Sequence, residues 1–512
     1  MVKVSETFDT LIRQWARERP NTVALDGPDH ILTYQELLAI TDCLVGAFNA
    51  LGLRKGDRIA WLGKNCTLYF VLLFAAGRVG IVMTPIGWRL SKGEAQWIAE
   101  NAAARLLILG PGFDEEKQSF PAIEQCLTAA EAWQLAQKGI AFEFAPSAPE
   151  DAVLQLYTSG TTGKPKGAVL ANRSLFRLRH TPGAAQTAYH TLHQDERILI
   201  AMPCAHIGGT GLATMALGGG VTAVILPEFE PGAVLDAIVD KGITRLFAVP
   251  AALQMMVRDP RCQNIDFGNL RHIIYGAAPM PLELLRECLK VFKADFIQAY
   301  GMTETTGTVV ALAPEDHSVT GHDRLRSAGR ALPGVDVSVV DQHGNPVPAG
   351  TVGEVLLRSS NNMLEYWGLP DATQATLTAD SWIHTGDAGY LDNEGYLYIH
   401  DRVKDMIISG GENVYPAEVE NAIYGHPDVA DVAVIGVPDD KWGEAVKACI
   451  VLKPDAAPDP ASIIAFARER IAAFKCPKSV DFIAEMPRNP SGKILRRTLR
   501  EPYWAGRDRQ VN

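Results

Sequence analysis

The sequence predicts an α/β protein: a large N-terminal domain of layered parallel sheets with a small β subdomain, then a smaller α+β C-terminal domain. Three observations predict it. Up to residue 323, short apolar strands alternate with helix-length segments, the rhythm of parallel sheets covered on both faces. From residue 324 the texture changes to strands and turns rich in Gly, Pro and Asn. After about residue 404 a βαβ-like pattern begins. The chain has 512 residues, too many for one compact core. The expected division is 1–403 and 404–512, with the β subdomain at about 324–403.

The elements follow in order. Phe8, Leu11, Ile12 and Trp15 fall at helical spacing. Thr33 can cap a second helix, with Glu36 three residues on. Arg58–Leu62 reads as a strand, 68–77 as a helix, and 81–85 as a strand ending at Pro85. Strands are expected at 197–202, 221–226, 245–249 and 272–275, and in the β subdomain at Val335–Val340, 353–357 and 396–400. The C-terminal part reads as helix 416–423, strands 429–437 and 445–452, a proline-rich loop at 454–460, and helix 462–472. Residues 207–226 carry no charge, the length of a membrane span, but hold six glycines. They read as a buried helix, a glycine turn and a strand.

Composition excludes several classes. Hydrophobic residues make up 47% and charged residues 21%, and the net charge is −11, which disfavours a nucleic-acid binder. Residues 468–509 hold 11 Lys/Arg against 5 Asp/Glu, so a basic C-terminal module follows an acidic body and suits a module that meets phosphates. The eight cysteines form no CxxC pair and read as core thiols in a reducing, cytoplasmic compartment. No signal peptide is evident.

The chemistry concentrates in a few strings. Residues 157–167, Tyr-Thr-Ser-Gly-Thr-Thr-Gly-Lys-Pro-Lys-Gly, lie between two apolar runs. Close glycines let backbone N–H groups approach an anion, and Thr158, Ser159, Thr161 and Thr162 add hydroxyl donors. Lys164 and Lys166 add positive charge. The loop suits polyphosphate, but it is no Walker P-loop: Gly160 and Gly163 are two residues apart, and Pro165 follows Lys164.

This loop closely resembles the phosphate loop of the adenylate-forming superfamily, which comprises acyl-CoA synthetases, peptide-synthetase adenylation domains and firefly-type luciferases. The remaining motifs follow in order. Tyr275-Gly276-Ala277-Ala278-Pro279 resembles the turn that packs on adenine. In Gln298-Ala299-Tyr300-Gly301-Met302-Thr303-Glu304, the resemblance implies that Tyr300 stacks on adenine, Thr303 bonds the α-phosphate and Glu304 helps hold Mg²⁺. Asp387 matches the ribose-binding aspartate and Arg402 the ribose/phosphate arginine. Lys404 falls at the hinge, and Gly410 and Gly411 in the loop that lines the pantetheine tunnel. Lys493, in Pro-Ser-Gly-Lys, matches the catalytic lysine of adenylation.

The resemblance implies an ATP-dependent acid–CoA ligase: carboxylate and ATP give acyl-AMP and pyrophosphate, then CoA gives acyl-CoA and AMP. It places the acyl pocket near His206, Thr210, Val249, Gly301 and Met302, an apolar or small set with no aspartate to pair an amino acid. A hydrophobic acid, fatty or ring-bearing, is expected. Lys475 lies in a stretch similar to one near CoA in relatives. His206 reads equally as a pocket gate or as a satisfied buried histidine. The alternatives are a stand-alone enzyme loading an amino or aryl acid onto a carrier protein and, more remotely, a non-catalytic nucleotide-binding homologue. ATP, Mg²⁺ and CoA are the expected cofactors. No transmembrane anchor is expected, and a homodimer or peripheral membrane contact stays open. If Lys404 is the hinge, Lys404→Pro should block thioester formation and spare pyrophosphate formation; collapse of both half-reactions in a coupled assay would contradict a simple pivot.

Overall fold

The computed structural model describes residues 6–140, 142–158, 164–317, 323–402, 405–410, 412–488 and 492–505. Two large sheets are built first. One runs in the order Arg330–Ala331, Gly307–Leu312, Asp295–Met302, His272–Gly276, Arg245–Ala248, Arg197–Ile200, Thr222–Ile225, Val23–Asp26, Ile31–Thr33. From Asp295–Met302 to Val23–Asp26 its neighbours are all parallel, and antiparallel strands flank them. The other holds seven strands, with Ala152–Thr158, Val82–Ile86, Arg58–Leu62, Ala104–Leu109 and Gln125–Thr128 parallel. Arg58–Leu62 and Val82–Ile86 are buried at every position, as strands covered on both faces must be.

The two sheets share one core, and helix Thr67–Arg78 explains why. It is apolar around its circumference and buried at every residue, so it can only lie between layers. Arg78 is the exception in chemistry. Its guanidinium is wholly buried and donates to Asp9 Oδ1 (2.9 Å), Thr41 Oγ1 (2.8 Å) and Asp42 Oδ1 (2.6 Å). It thereby ties helices Phe8–Glu18 and Tyr34–Ala50 to the central helix. The expected cap at Thr33 is present: its hydroxyl accepts from Glu36 N–H, and the Glu36 carboxylate accepts from Thr33 N–H.

Residues 207–226 form helix Ile207–Gly218, a glycine turn and strand Thr222–Ile225. Among the described residues no helix is long and apolar enough to cross a membrane. Strand Val82–Ile86 runs one residue past Pro85. The proline is tolerated because the neighbouring strand Ala152–Thr158 pairs only at Met83.

Strands Val335–Val340, Gly353–Ser359, Ile383–Leu391 and Leu397–Arg402 form an antiparallel sheet. A further five-stranded sheet follows residue 406. Its strands Val429–Asp439 and Gly443–Leu452 make an antiparallel hairpin rather than a βαβ unit. The crossover element comes later, when helix Pro460–Arg468 leads into Ser479–Phe482, parallel to Gly443–Leu452. That helix starts earlier than the sequence predicts. Asp459 accepts from Ala461 and Ser462 N–H, and Pro460 sits at the first helical position, where its missing N–H costs nothing.

Removing the buried Arg78 guanidinium leaves the buried Asp9 carboxylate with only the half-exposed Arg13 as charge partner. Arg78→Met should lower the unfolding free energy of this core by about 3 kcal/mol in a denaturant titration; a loss under about 1 kcal/mol would contradict the anchoring role.

Candidate functional site

The loop at 157–167 sits on an antiparallel pair, Ala152–Thr158 against Lys166–Ala171, with Thr158 opposite Lys166. Ser159, Gly160, Thr161, Thr162 and Gly163 lie outside the described residues, as do Lys404, Gly411 and the side chain of Arg402. The hairpin beneath is held firmly. Tyr157 donates to Asn101 Oδ1 (2.6 Å) and accepts from Gln155 Nε2 (3.0 Å). The Arg58 guanidinium lies 3.3 Å from the Trp367 ring centroid and donates to Gln155 Oε1. Lys164 Nζ lies 5.7 Å from the Trp97 ring, and Lys166 Nζ lies 4.9 Å from the Tyr366 ring.

Tyr366 links this hairpin to the next motif. Its hydroxyl donates to Glu304 Oε1 at 2.5 Å, and Glu304 is buried. Glu304 stands in a 3₁₀ turn, Thr303–Thr305, directly after strand Asp295–Met302. The turn is tight enough to demand glycine: a Cβ on Gly301 would lie 1.9 Å from Gly307 O. Thr305 Oγ1 closes it by accepting from Met302 N–H (3.0 Å) and contacting Gly307 O (2.9 Å). Thr303 is half-buried at its start.

Tyr300, on the same strand, donates to Asp387 Oδ2 at 2.7 Å. Asp387 is buried on strand Ile383–Leu391, opposite Arg402 in register. Beside Tyr300's strand, His272–Gly276 ends at the small-residue turn. A Cβ on Gly276 would meet Ala299 O at 2.0 Å, and Ala277 takes φ +65°, a conformation alanine seldom adopts. Ala277 is exposed and Ala278 half-buried. Behind the turn, Tyr275 Oη lies 3.1 Å from His317 Nε2, while His317 Nδ1 lies 2.9 Å from Ala313 O. The carbonyl fixes the proton on Nδ1, so Nε2 is left as an acceptor facing the Tyr275 hydroxyl, which also lies 3.2 Å from Gln298 Oε1. Burial pushes His317 down to about 4.

The C-terminal sheet brings Lys493 to this side. Its turn is a clamped hairpin: Leu495 N–H donates to Pro487 O, and Arg488 bridges to Ile494. Arg488 Nη1 donates to Gly492 O (2.7 Å) and Nη2 to Asp431 Oδ2 (2.7 Å). Gly492 takes φ +81°. A Cβ there would lie 3.0 Å from Val249 Cγ2. Lys493 lines one cleft with Ala278, Pro279, Pro250 and Tyr424. Gln254 Nε2 clasps Tyr424 Oη and Ala430 O across that cleft.

The residues expected around the acyl group divide. Gly301 and Met302 are half-buried, and Val249 is buried against the Lys493 turn. Thr210 is wholly buried, donates to Cys204 O (2.7 Å) and lies 2.7 Å from Tyr69 Oη, so its hydroxyl braces the wall from behind. His206 precedes helix Ile207–Gly218. Its Nε2 is buried without a hydrogen-bond partner among the described residues, and burial lowers its pKa, keeping the ring neutral. It is therefore not a satisfied core histidine.

On the C-terminal face, Gly410 N–H donates to Trp442 O (2.8 Å), and a Cβ on Gly410 would lie 2.6 Å from the Trp442 ring. Trp442 and Phe474 are exposed, with Lys441 Nζ 4.5 Å and Lys478 Nζ 6.0 Å from the Trp442 ring. Lys475 instead pairs with both Glu418 oxygens, at 2.7 and 2.8 Å. Trp442, Tyr366 and Arg488 were not singled out in the sequence. Trp442 alone left a signal there, as an aromatic between Lys441 and Gly443. Among the described residues no cluster of three His, Cys, Asp or Glu stands ready for a metal ion.

His317 carries a pH signature. It stays neutral in the fold and protonates on unfolding below about pH 6.5, so its contribution is lost as pH falls. The stability advantage of the native protein over His317→Gln should shrink by up to about 1.4 kcal/mol per pH unit between pH 6.5 and 4.5. An advantage constant with pH would contradict the buried neutral brace.

Similarity to known proteins agrees with this geometry. The AMP-binding enzyme family model matches residues 12–367, and the AMP-binding enzyme C-terminal domain model matches residues 418–493. Fatty acid–[acyl-carrier-protein] ligase ScoC of Streptomyces coeruleorubidus is 42% identical over 97% of this chain and 96% of its own. Feruloyl-CoA synthase of an Amycolatopsis species is 38% identical over 95% of this chain and 97% of its own. The crystal structure of ATP-bound MatB from Rhodopseudomonas palustris superposes with a TM-score of 0.87 at 29% identity, covering 98% of this chain and 99% of that one.

Proposed function

The chain belongs to the AMP-binding enzymes, the adenylate-forming ligases of the acyl-CoA synthetase branch, and we propose that it joins a hydrophobic carboxylic acid to the thiol of CoA. The observation that carries this reading is the cleft shared by Lys493 and the Ala278 turn. In it the C-terminal lysine faces the turn that would hold adenine.

The proposed roles follow from chemistry. Residues 158–164 cradle the polyphosphate. Tyr300, its hydroxyl fixed by Asp387, offers a flat face to adenine beside Gly276, Ala277 and Ala278. Asp387 and Arg402 hold the ribose. Glu304 gives one hard oxygen ligand beside the polyphosphate, a donor set that fits Mg²⁺ when phosphates and water supply the rest. Bound there, the ion would offset phosphate charge.

Two anions must meet in the first step, so positioning and charge neutralisation do the catalysis. The substrate carboxylate oxygen bonds the α-phosphorus, and the bond to pyrophosphate breaks. Thr303 and Lys493 donate to the developing negative charge. In the second step the thiol sulfur bonds the acyl carbon, the bond to AMP oxygen breaks, and the thiol proton passes to solvent. The lining by Val249, Gly301 and Met302 suits an apolar acid, with the neutral His206 and Thr210 behind it. The proposed division at Lys404 lets the C-terminal part re-orient between steps, bringing Gly410 and Gly411 to the thiol arm. A reaction that draws on ATP and CoA supports a cytoplasmic location as part of this reading.

Two observations bear on the acceptor. Exposed Trp442 beside Lys441 and Lys478 offers a stacking and phosphate surface suited to CoA, and feruloyl-CoA synthase is named for that acceptor. A carrier protein is the second reading. It is favoured by Lys475, whose charge Glu418 already takes up, and by the carrier-protein acceptor in the name of ScoC.

Lys493→Ala should cut acid-dependent ATP–pyrophosphate exchange by about 100-fold and leave thioester formation from supplied acyl-AMP within about threefold. Equal loss in both half-reactions would defeat the assignment of Lys493.

A further inference from the structure

One buried ionic cluster has no part in the roles above. It joins three residues on different elements: Asp401, Glu420 and Arg496. Arg496 begins helix Arg496–Trp504, three residues beyond Lys493. Its side chain is 11% exposed. Nη2 donates to both oxygens of Glu420 at 2.8 Å, and Nη1 lies 3.6 Å from Asp401 Oδ1. Burial works against the Arg496 charge, but Glu420 and Asp401 overcome it and raise its pKa.

The two carboxylates belong to different bodies of structure. Glu420 lies on helix Pro416–Tyr424, packed on the C-terminal sheet, and also accepts from Val434 N–H at 2.8 Å. It travels with Arg496. Asp401 lies on strand Leu397–Arg402 of the four-stranded sheet, paired with Ala388, the neighbour of Asp387. Its second oxygen reaches across to accept from Ala417 N–H at 3.0 Å, in the first turn of helix Pro416–Tyr424. Asp401 thus grips the C-terminal unit at two points, a helix N-terminus and Arg496, where a carboxylate is favoured.

We infer that Asp401 and Arg496 form a releasable latch that holds the C-terminal unit in the orientation presenting Lys493 to the cleft. The inference rests on the proposed adenylation role of Lys493. The geometry makes the latch releasable. If the C-terminal unit turns, Arg496 keeps its bidentate partner Glu420, so no buried guanidinium is left alone. Only the bonds to Asp401 break. Asp401 lies three residues before the hinge expected at Lys404, on the side of it that stays with the four-stranded sheet. Both residues act through Lys493 and are positioning residues.

The latch favours one orientation, so weakening it should slow the first half-reaction selectively. Asp401→Asn keeps the shape of the side chain and removes its charge. With the full-length protein and an acid the unaltered enzyme accepts, Asp401→Asn should lower ATP–pyrophosphate exchange by about tenfold, at unchanged KM for ATP. Thioester formation from the matching supplied acyl-AMP should stay within about twofold. Arg496→Lys, which keeps the charge but loses the fork, should shift the two half-reactions in the same direction. That pattern in either variant, with the far-UV circular dichroism spectrum of the unaltered protein, supports the latch. An equal fall in both half-reactions, or no change in exchange, overturns it. An unaltered protein that shows no exchange with any acid defeats the ligase reading itself, which is a different result from a failed latch.

Discussion

Tyrosine hydroxyls on buried carboxylates hold the crevice together. Tyr366 belongs to the edge of the seven-stranded sheet and donates to Glu304, at the end of a strand in the nine-stranded sheet. Tyr300 belongs to that same strand and donates to Asp387, in the four-stranded sheet. Three sheets therefore meet through two short hydrogen bonds to ionisable groups. A bond to a charged acceptor is roughly twice as strong as a neutral one, and it fixes direction as well as distance. The sheets could pack by apolar contact alone, but these two bonds set where the acidic groups stand.

The same economy of placement runs through the C-terminal part. Lys493 sits on a hairpin whose carbonyl at Gly492 is clamped by Arg488, itself clamped by Asp431. The braced turn fixes the point from which the Lys493 side chain extends. Gln254 and Tyr424 hold that turn's neighbours against helix Pro250–Arg258. The cleft is thus assembled from two separately folded surfaces. That construction suits a reaction in two steps, because one surface can leave without disturbing the core of the other.

The sequence made the repeating features legible. Apolar runs located the strands read from the sequence within a residue or two but missed Val23–Asp26, Ala104–Leu109, Gln125–Thr128 and Asp295–Met302, and Thr33 with Glu36 announced its cap because the signal is local. Glycine spacing and the Tyr300–Glu304 string pointed to a nucleotide, because those residue types serve one chemistry in one order. The cross-links between elements were not legible. Tyr366 with Glu304, Asp401 with Arg496 and Arg488 with Asp431 are ordinary residues 57 to 95 positions apart. Nothing local marks them as partners. Pro460 was misread for a related reason: a proline-rich string looks like a loop until Asp459 supplies a cap and turns its last proline into a helix start. Lys475, expected near CoA, is held by the distant Glu418, another pairing that nothing local announces.

The central claim is that the cleft joins a carboxylate to the AMP half of ATP before any thiol is present. Incubating the protein with ATP, Mg²⁺ and a panel of fatty and aryl carboxylic acids, with and without CoA, tests it most directly. The account predicts pyrophosphate release that depends on an apolar acid and needs no CoA, with AMP released in quantity only when the thiol is added. Release of ADP and phosphate, or pyrophosphate release indifferent to the acid, would contradict it.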